Sequence, residues 1–257
     1  MRDLPRLLAP LLLLAALVAL AWVANPGQEP PRPAPQPPPK EKDCPDGKCP
    51  PQPKKPRWGE PIGAAVGGPL HADGTELMLD LPAALHQRNT GGRDGAGLCV
   101  YASTRHSGHW HNDPAMQGLF DWMRGQPGGS YPEKFDRTMG QFCEEKSLPV
   151  PKYLNVPNAD LGLLQKACAA GLMPGVTYSR SPTGRYAGQT IDHMVTLVHA
   201  DERWFVVLDN NHPGADQYEW MSPAEAKRAL PTRQGNIWAI IPLDPGPPPV
   251  PINRSIP

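Results

Sequence analysis

Proline decides how much of this chain can build a core. The sequence carries 36 prolines in 257 residues, well above the roughly 5% of ordinary globular proteins, and they are unevenly placed. Residues 25–57 are mostly Pro, Gln, Lys and Glu with hardly an apolar side chain. Such a stretch cannot bury enough surface to fold, and it reads as an extended, polyproline-like linker. The last residues, 244–257, form a second proline-rich segment, a tail. Between them residues 58–243 leave about 190 residues, an ordinary size for one domain.

Ahead of the linker the character changes. Arg2 and Arg6 precede an uncharged apolar run over residues 7–24, at about 18 residues on the low edge of a membrane span and above a usual signal-peptide core. Residues 1–24 are therefore expected to be a signal peptide or membrane anchor. Trp22 and the poor small-residue pattern before Asn25 favour the uncleaved anchor. Basic residues before such a segment stay inside, so the domain is expected outside the cytoplasm, membrane-anchored or secreted. Acidic and basic residues balance, 25 of each. That balance gives no case for nucleic-acid binding, which depends on a cationic surface.

Chemistry concentrates in two places within the domain. Cys99 follows Gly95-Ala96-Gly97-Leu98, a run suited to a tight turn, and Val100-Tyr101-Ala102-Ser103-Thr104 through Trp110 reads as a helix. The thiol then stands at a helix N-terminus, where unpaired amides and the macrodipole favour an anion. Far downstream, His193 opens the β-branched stretch Met194-Val195-Thr196-Leu197-Val198. Residues 204–208 read as its hairpin partner, with 200–203 as the turn. A hairpin of that kind brings Asp209 or Asn210 against His193, where either could fix the ring's tautomer. The set is a nucleophile, a base and an orienter.

Those blocks resemble the papain-like cysteine peptidase superfamily. The resemblance rests on Ala96-Gly97-Leu98-Cys99-Val100-Tyr101-Ala102-Ser103, on Asp192-His193-Met194-Val195 and on Leu208-Asp209-Asn210, in that order. Leu79-Asp80-Leu81-Pro82 also looks like the short strand that enters such domains. The likeness spans residues 76–243 in short blocks. It implies an α+β, papain-like fold whose helical half carries the nucleophile and whose antiparallel β half carries the base. The implied activity is hydrolysis of peptide bonds through a thioester on Cys99, on a polypeptide substrate. No cofactor or metal is needed, and a monomer is expected. His193 is the base and Asn210 the preferred orienter, with Asp209 as the rival.

Two departures bear on the site. Arg93 stands where the family carries the glutamine of its oxyanion hole, so Asn89 or Gln87 is expected to supply that donor beside the Cys99 amide. Asn210 is followed by Asn211-His212-Pro213 rather than the family's shielding tryptophan. A transglutaminase-like acyl transferase and a non-catalytic module that kept the fold are the alternative readings.

The remaining pattern is mixed. Ser130-Tyr131-Pro132-Glu133 reads as a capping box opening a helix with Phe135, Met139, Phe142 and Cys143 on one face. Asn158 or Asp160 starts another, burying Leu161, Leu164 and Cys168 and stopping at Gly171. Pro174-Gly175-Val176-Thr177-Tyr178 reads as a strand, and residues 179–189 as a polar loop. Ser222-Pro223-Ala224-Glu225 caps a short helix, and residues 236–241 form a last strand. Of the 5 cysteines, Cys44 and Cys49 could close a small loop in the linker, and Cys143 and Cys168 are either a disulfide or two buried thiols. His106, His109, His111 and Asp113 suit a solvated helix end or a cleft wall better than a zinc site.

Overall fold

The computed structural model describes residues 70–212, 218–244 and Gly246. The chain divides into Met1–Lys54 and Lys55–Pro257, and every described residue belongs to the second unit. The N-terminal apolar run, the linker with Cys44 and Cys49, and all but the first residues of the tail lie outside the described residues. Among the described residues no helix is long and apolar enough to cross a membrane.

A six-stranded sheet organises the domain. Its strands are β1 (Tyr153–Ala159), β2 (Gly175–Tyr178), β3 (His193–Ala200), β4 (Phe205–Leu208), β5 (Tyr218–Met221) and β6 (Ile237–Pro242), in the order β1-β6-β2-β3-β4-β5. Each neighbouring pair runs antiparallel. Side chains of a strand alternate between faces, and β6 shows it clearly. Ile237, Ala239 and Ile241 enter one apolar core, whereas Trp238 and Ile240 enter the other. With both faces covered, β3 is buried along its whole length, which is why its sequence is a continuous apolar run. A bulge between Leu197 and His199 shifts its pairing with β4.

One core packs helices α1 (Cys99–His111), α2 (Pro114–Met123) and α3 (Pro132–Lys146) against Met194, Trp238 and Ile240. The other collects α4 (Leu161–Ala169), α5 (Pro223–Ala229) and Leu77, Leu79 and Leu81. The mixed helix and antiparallel-sheet architecture agrees with the α+β expectation. Helix α1 meets the sheet with small residues whose hydroxyls find sheet-side carbonyls. Ser103 Oγ donates to Met194 O at 3.2 Å and Ser107 Oγ to Met173 O at 2.7 Å. It ends at Asn112 in the left-handed conformation, and Asp113 at once caps α2 by accepting from the Met116 amide at 2.8 Å.

Several local expectations change. The Ser130 capping box does not form: α3 begins at Pro132, a residue pre-set for the first helical position, and Tyr131 is the cap residue. Ser130 Oγ instead accepts from the Tyr101 hydroxyl at 3.2 Å. Asp160, not Asn158, caps α4, accepting from Leu163 N at 2.7 Å. Asn158 belongs to β1, a strand the sequence hides because Pro157 interrupts it, as an edge strand allows. The 79–82 segment is no strand; the Leu79 amide reaches Val198 O at 3.0 Å and Pro82 has no amide to continue. Leu161 is only partly buried. Cys143 and Cys168 are free thiols buried in different cores, which excludes a disulfide between them. The Ser222 capping box of α5 forms as expected.

Glycine placement offers a stability test. A Cβ on Gly128 meets Ala96 O at 2.0 Å, against the loop that precedes Cys99, whereas a Cβ on Gly140 within α3 meets nothing within 4 Å. Gly128→Ala is expected to lower the unfolding free energy by about 1–3 kcal/mol through overpacking. Gly140→Ala is expected to raise it by about 0.5–1 kcal/mol through helix propensity. Urea midpoints of the two variants read both signs.

Candidate active site

The thiol is positioned by the loop before it. Gly91 bridges Gly97, Gly92 N donates to Ala96 O at 2.8 Å, and Gly95 turns the chain at a φ of +77° that favours glycine. Asp94 Oδ1 accepts from the Gly128 and Ala96 amides at 2.7 and 3.1 Å. The Leu98 amide, one residue before the thiol, is shared between Thr90 O and Asn89 Oδ1, each at 2.9 Å. Cys99 then becomes the first residue of α1, whose cap residue Leu98 offers no side-chain acceptor. The amides of that first turn are left facing the cleft end of the helix.

His193, the first residue of β3, pairs with Tyr178 of β2. Its Nε2 donates to Asp209 Oδ1 at 2.9 Å. Its Nδ1 is buried without another partner, and the ring lies close enough to Cys99 that each shifts the other's titration. Burial alone pushes the Cys99 thiol up, but His193, with the Met194 and Val100 amides, outweighs it and leaves the thiol below its ordinary value. Burial alone likewise pushes His193 down, and Asp209 and Cys99 together raise it to about 9. Burial opposes the charge on Asp209 too, yet His193, Arg185 and Tyr186 hold the carboxyl well below the usual carboxylate range. Each direction favours the charged form of its group: thiolate, imidazolium and carboxylate.

Asp209 is held by more than His193. Its Oδ1 also accepts from the Asn211 amide at 3.0 Å. Its Oδ2 accepts from the Tyr186 hydroxyl at 2.6 Å and from Arg185 Nη1 at 3.2 Å. The preference for Asn210 as the ring's partner is therefore corrected. The Asn210 side chain points the other way, its Nδ2 donating to Met194 O and Ser103 Oγ at 2.9 Å and to Cys99 O at 3.2 Å. It ties the first turn of α1 to the start of β3 instead of touching the imidazole. Asn89 lies behind the loop. Its Nδ2 donates to Asn211 Oδ1 at 2.8 Å and its own amide to Asn210 O at 2.7 Å, and it is not among the cleft-lining residues. Gln87 is turned away as well, with its side-chain amide on Arg88 O at 2.7 Å.

Cys99 and His193 share a cleft of about 310 Å³. Val100, Tyr131, Pro132, Ile191 and Trp238 are among the residues that line it. Apart from the pair itself, the only charged side chain among the described lining residues is Asp192, an exposed residue paired with Arg233 at 3.3 Å.

The histidines beyond Cys99 are spoken for. His106 is buried, accepts from Gln87 N at 2.6 Å and meets Thr196 Oγ1 at 2.8 Å, and burial pushes it down to about 3. His111 accepts from Met173 N at 3.1 Å, and His109 sits beside Arg105. Among the described residues no group of three ligating side chains converges. Arg185 and Tyr186 are the contributors that sequence reasoning missed. They sit in a stretch that reads only as a polar loop, and nothing in its pattern marks a buried arginine.

No protein-family model matches the chain, and no curated protein matches it in sequence. Among solved structures it is similar to a Bacillus anthracis protein assigned, provisionally, to the C39-like peptidases. That likeness is at 14% identity and a TM-score of 0.46, covering 67% of this chain and 100% of the other.

The coupled shifts set a pH window. His193, raised to about 9, contributes stability that is fully present below its unfolded value of about 6.5 and is lost as pH rises through about 9. Asp209, depressed, contributes stability present above about 3.9 and lost as pH falls toward its folded value. Iodoacetamide is therefore expected to alkylate Cys99 faster than an unfolded thiol at neutral pH, with a break near 9 as His193 loses its proton. Buried Cys143 and Cys168, both pushed up by burial, stay unlabelled in the folded protein. Mass spectrometry of the peptides gives the site and the rate.

Proposed function

We propose that this chain is an exported cysteine peptidase of the papain-like kind, hydrolysing peptide bonds with Cys99 as nucleophile, His193 as base and acid, and Asp209 as orienter. The observation that carries the reading is the facing of Cys99 and His193 in one cleft, with Asp209 on the far ring nitrogen at 2.9 Å. The thiolate adds to the scissile carbonyl carbon, and the oxygen takes up negative charge beside the first-turn amides of α1. As the C–N bond breaks, the imidazolium gives its proton to the departing amine, leaving a thioester. Water then attacks the thioester carbon while His193 takes its proton, and the C–S bond breaks to return thiolate and imidazolium.

The substrate is a polypeptide with an uncharged residue against the cleft. What supports this reading is a lining in which Asp192, paired with Arg233, is the one charged side chain besides the Cys99–His193 pair among the described residues. Arg2, Arg6 and the apolar run at residues 7–24 support export and tethering through the N-terminal segment.

Hydrolysis of a peptide mixture, followed by mass spectrometry with and without an added amine, separates the alternatives. Free-acid products that vanish in Cys99→Ala support the peptidase. Amine-linked products point to an acyl transferase, and native protein unlabelled by a thiol-directed epoxide inhibitor points to a binding module. Asp209→Asn is expected to lower kcat by about 10³-fold or more, because the ring loses its orienting acceptor. Asn210→Ala is expected to cost about 1–3 kcal/mol of stability, because it strips hydrogen bonds from buried carbonyls.

A further inference from the structure

Arg185 is the largest of the fully buried side chains, at 0% exposure, and it does not line the cleft. A guanidinium in that position is costly unless it has partners. Those partners lead to the site: Nη1 meets Asp209 Oδ2 at 3.2 Å and Nη2 donates to Tyr218 O at 3.1 Å. The next residue converges on the same atom, the Tyr186 hydroxyl donating to Asp209 Oδ2 at 2.6 Å. Both belong to the connection between β2 and β3. Its beginning is pinned through Ser181 and Thr183 to Glu219, a second buried carboxylate that also accepts from Tyr178.

We infer that Arg185 and Tyr186 are positioning residues of the catalytic centre. They grip one carboxylate oxygen of Asp209 so that the other stays ionised and aimed at His193. The inference rests on the Cys99, His193 and Asp209 reading above. A carboxylate this deeply buried takes up a proton unless its charge is met. Around Asp209 stand His193 on β3, Arg185 and Tyr186 from the β2–β3 connection, and His212 at 4.0 Å from the following turn. Tyr178 on β2 and Glu219 on β5 lie next to that group. Of these, Arg185 and Tyr186 are the ones that can restrain Oδ2 while leaving Oδ1 to the ring. A guanidinium also supplies charge together with fixed donor directions, which an ammonium does not.

The pH profile of Cys99 alkylation in the full-length protein tests this without any substrate. When Asp209 takes a proton the imidazolium loses its support and the thiolate fades, so weaker restraint moves the acid-side break upward. Tyr186→Phe, which keeps the ring, is expected to raise that break. Arg185→Lys, which keeps the charge, is expected to raise it less than Arg185→Met does. For Arg185→Met the break is expected to move up furthest, by about one unit or more. On its acid side the rate then falls roughly tenfold against the parent at the same pH, since one unit is a factor of ten there. Circular dichroism establishes which variants are folded, and Tyr186→Phe decides the matter if Arg185→Met is not. If folded variants unfold more readily but keep the parental break, the two residues are structural only and the inference is overturned. A parent thiol no faster than an unfolded one overturns the underlying pair as well, a distinct outcome.

Discussion

A carboxylate with no access to water organises the candidate site of this domain. Asp209 is completely buried, and ionised carboxylates survive such burial only where donors fill their lone pairs. Here four groups do so, two on each oxygen. The demand fixes the end of β4, the path of the β2–β3 connection and the orientation of His193 together. Removing any one donor leaves a charge that the remaining three must hold.

The sheet makes this convergence possible because it is covered on both faces. Helix α1 lies on one face with its first turn against the start of β3, and the Asn210 amide bridges Cys99 O and Met194 O. The chain therefore sets the separation of thiol and imidazole through backbone carbonyls next to each of them. Small residues along α1 let it approach this closely, and their hydroxyls satisfy sheet-side carbonyls that would otherwise be stranded. Polarity on a buried helix face is part of the packing here, and it explains why α1 has little of the clean apolar stripe seen in α3.

The meeting of Cys99 and His193 was legible in the sequence because both stand at element boundaries. Glycines mark the turn before Cys99, and a β-branched run marks the strand that His193 opens. The choice between Asp209 and Asn210 was not legible. Neighbouring residues past a strand end point to opposite sides, and parity depends on where β4 stops and on the bulge in β3, neither of which leaves a sequence signal. Arg185 and Tyr186 were invisible for another reason. Loop composition shows that a segment is polar, and only the fold decides that its charge turns inward. Strand β1 was hidden by Pro157, whereas the 79–82 segment looked like a strand although its backbone meets the sheet only through Leu79 N on Val198 O of the interior strand β3.

Gly246 lies so near Trp110 that a Cβ there would come within 2.1 Å of the indole nitrogen, which is itself bound to Gly171 O. Trp110 sits near the far end of the 13-residue α1 that begins with Cys99, about 15–20 Å along the axis from the sulfur. Gly246 thus sits at the pole of α1 remote from the Cys99 sulfur. A side chain at Gly246 would therefore displace the Trp110 indole, and neither residue is among those that line the cleft.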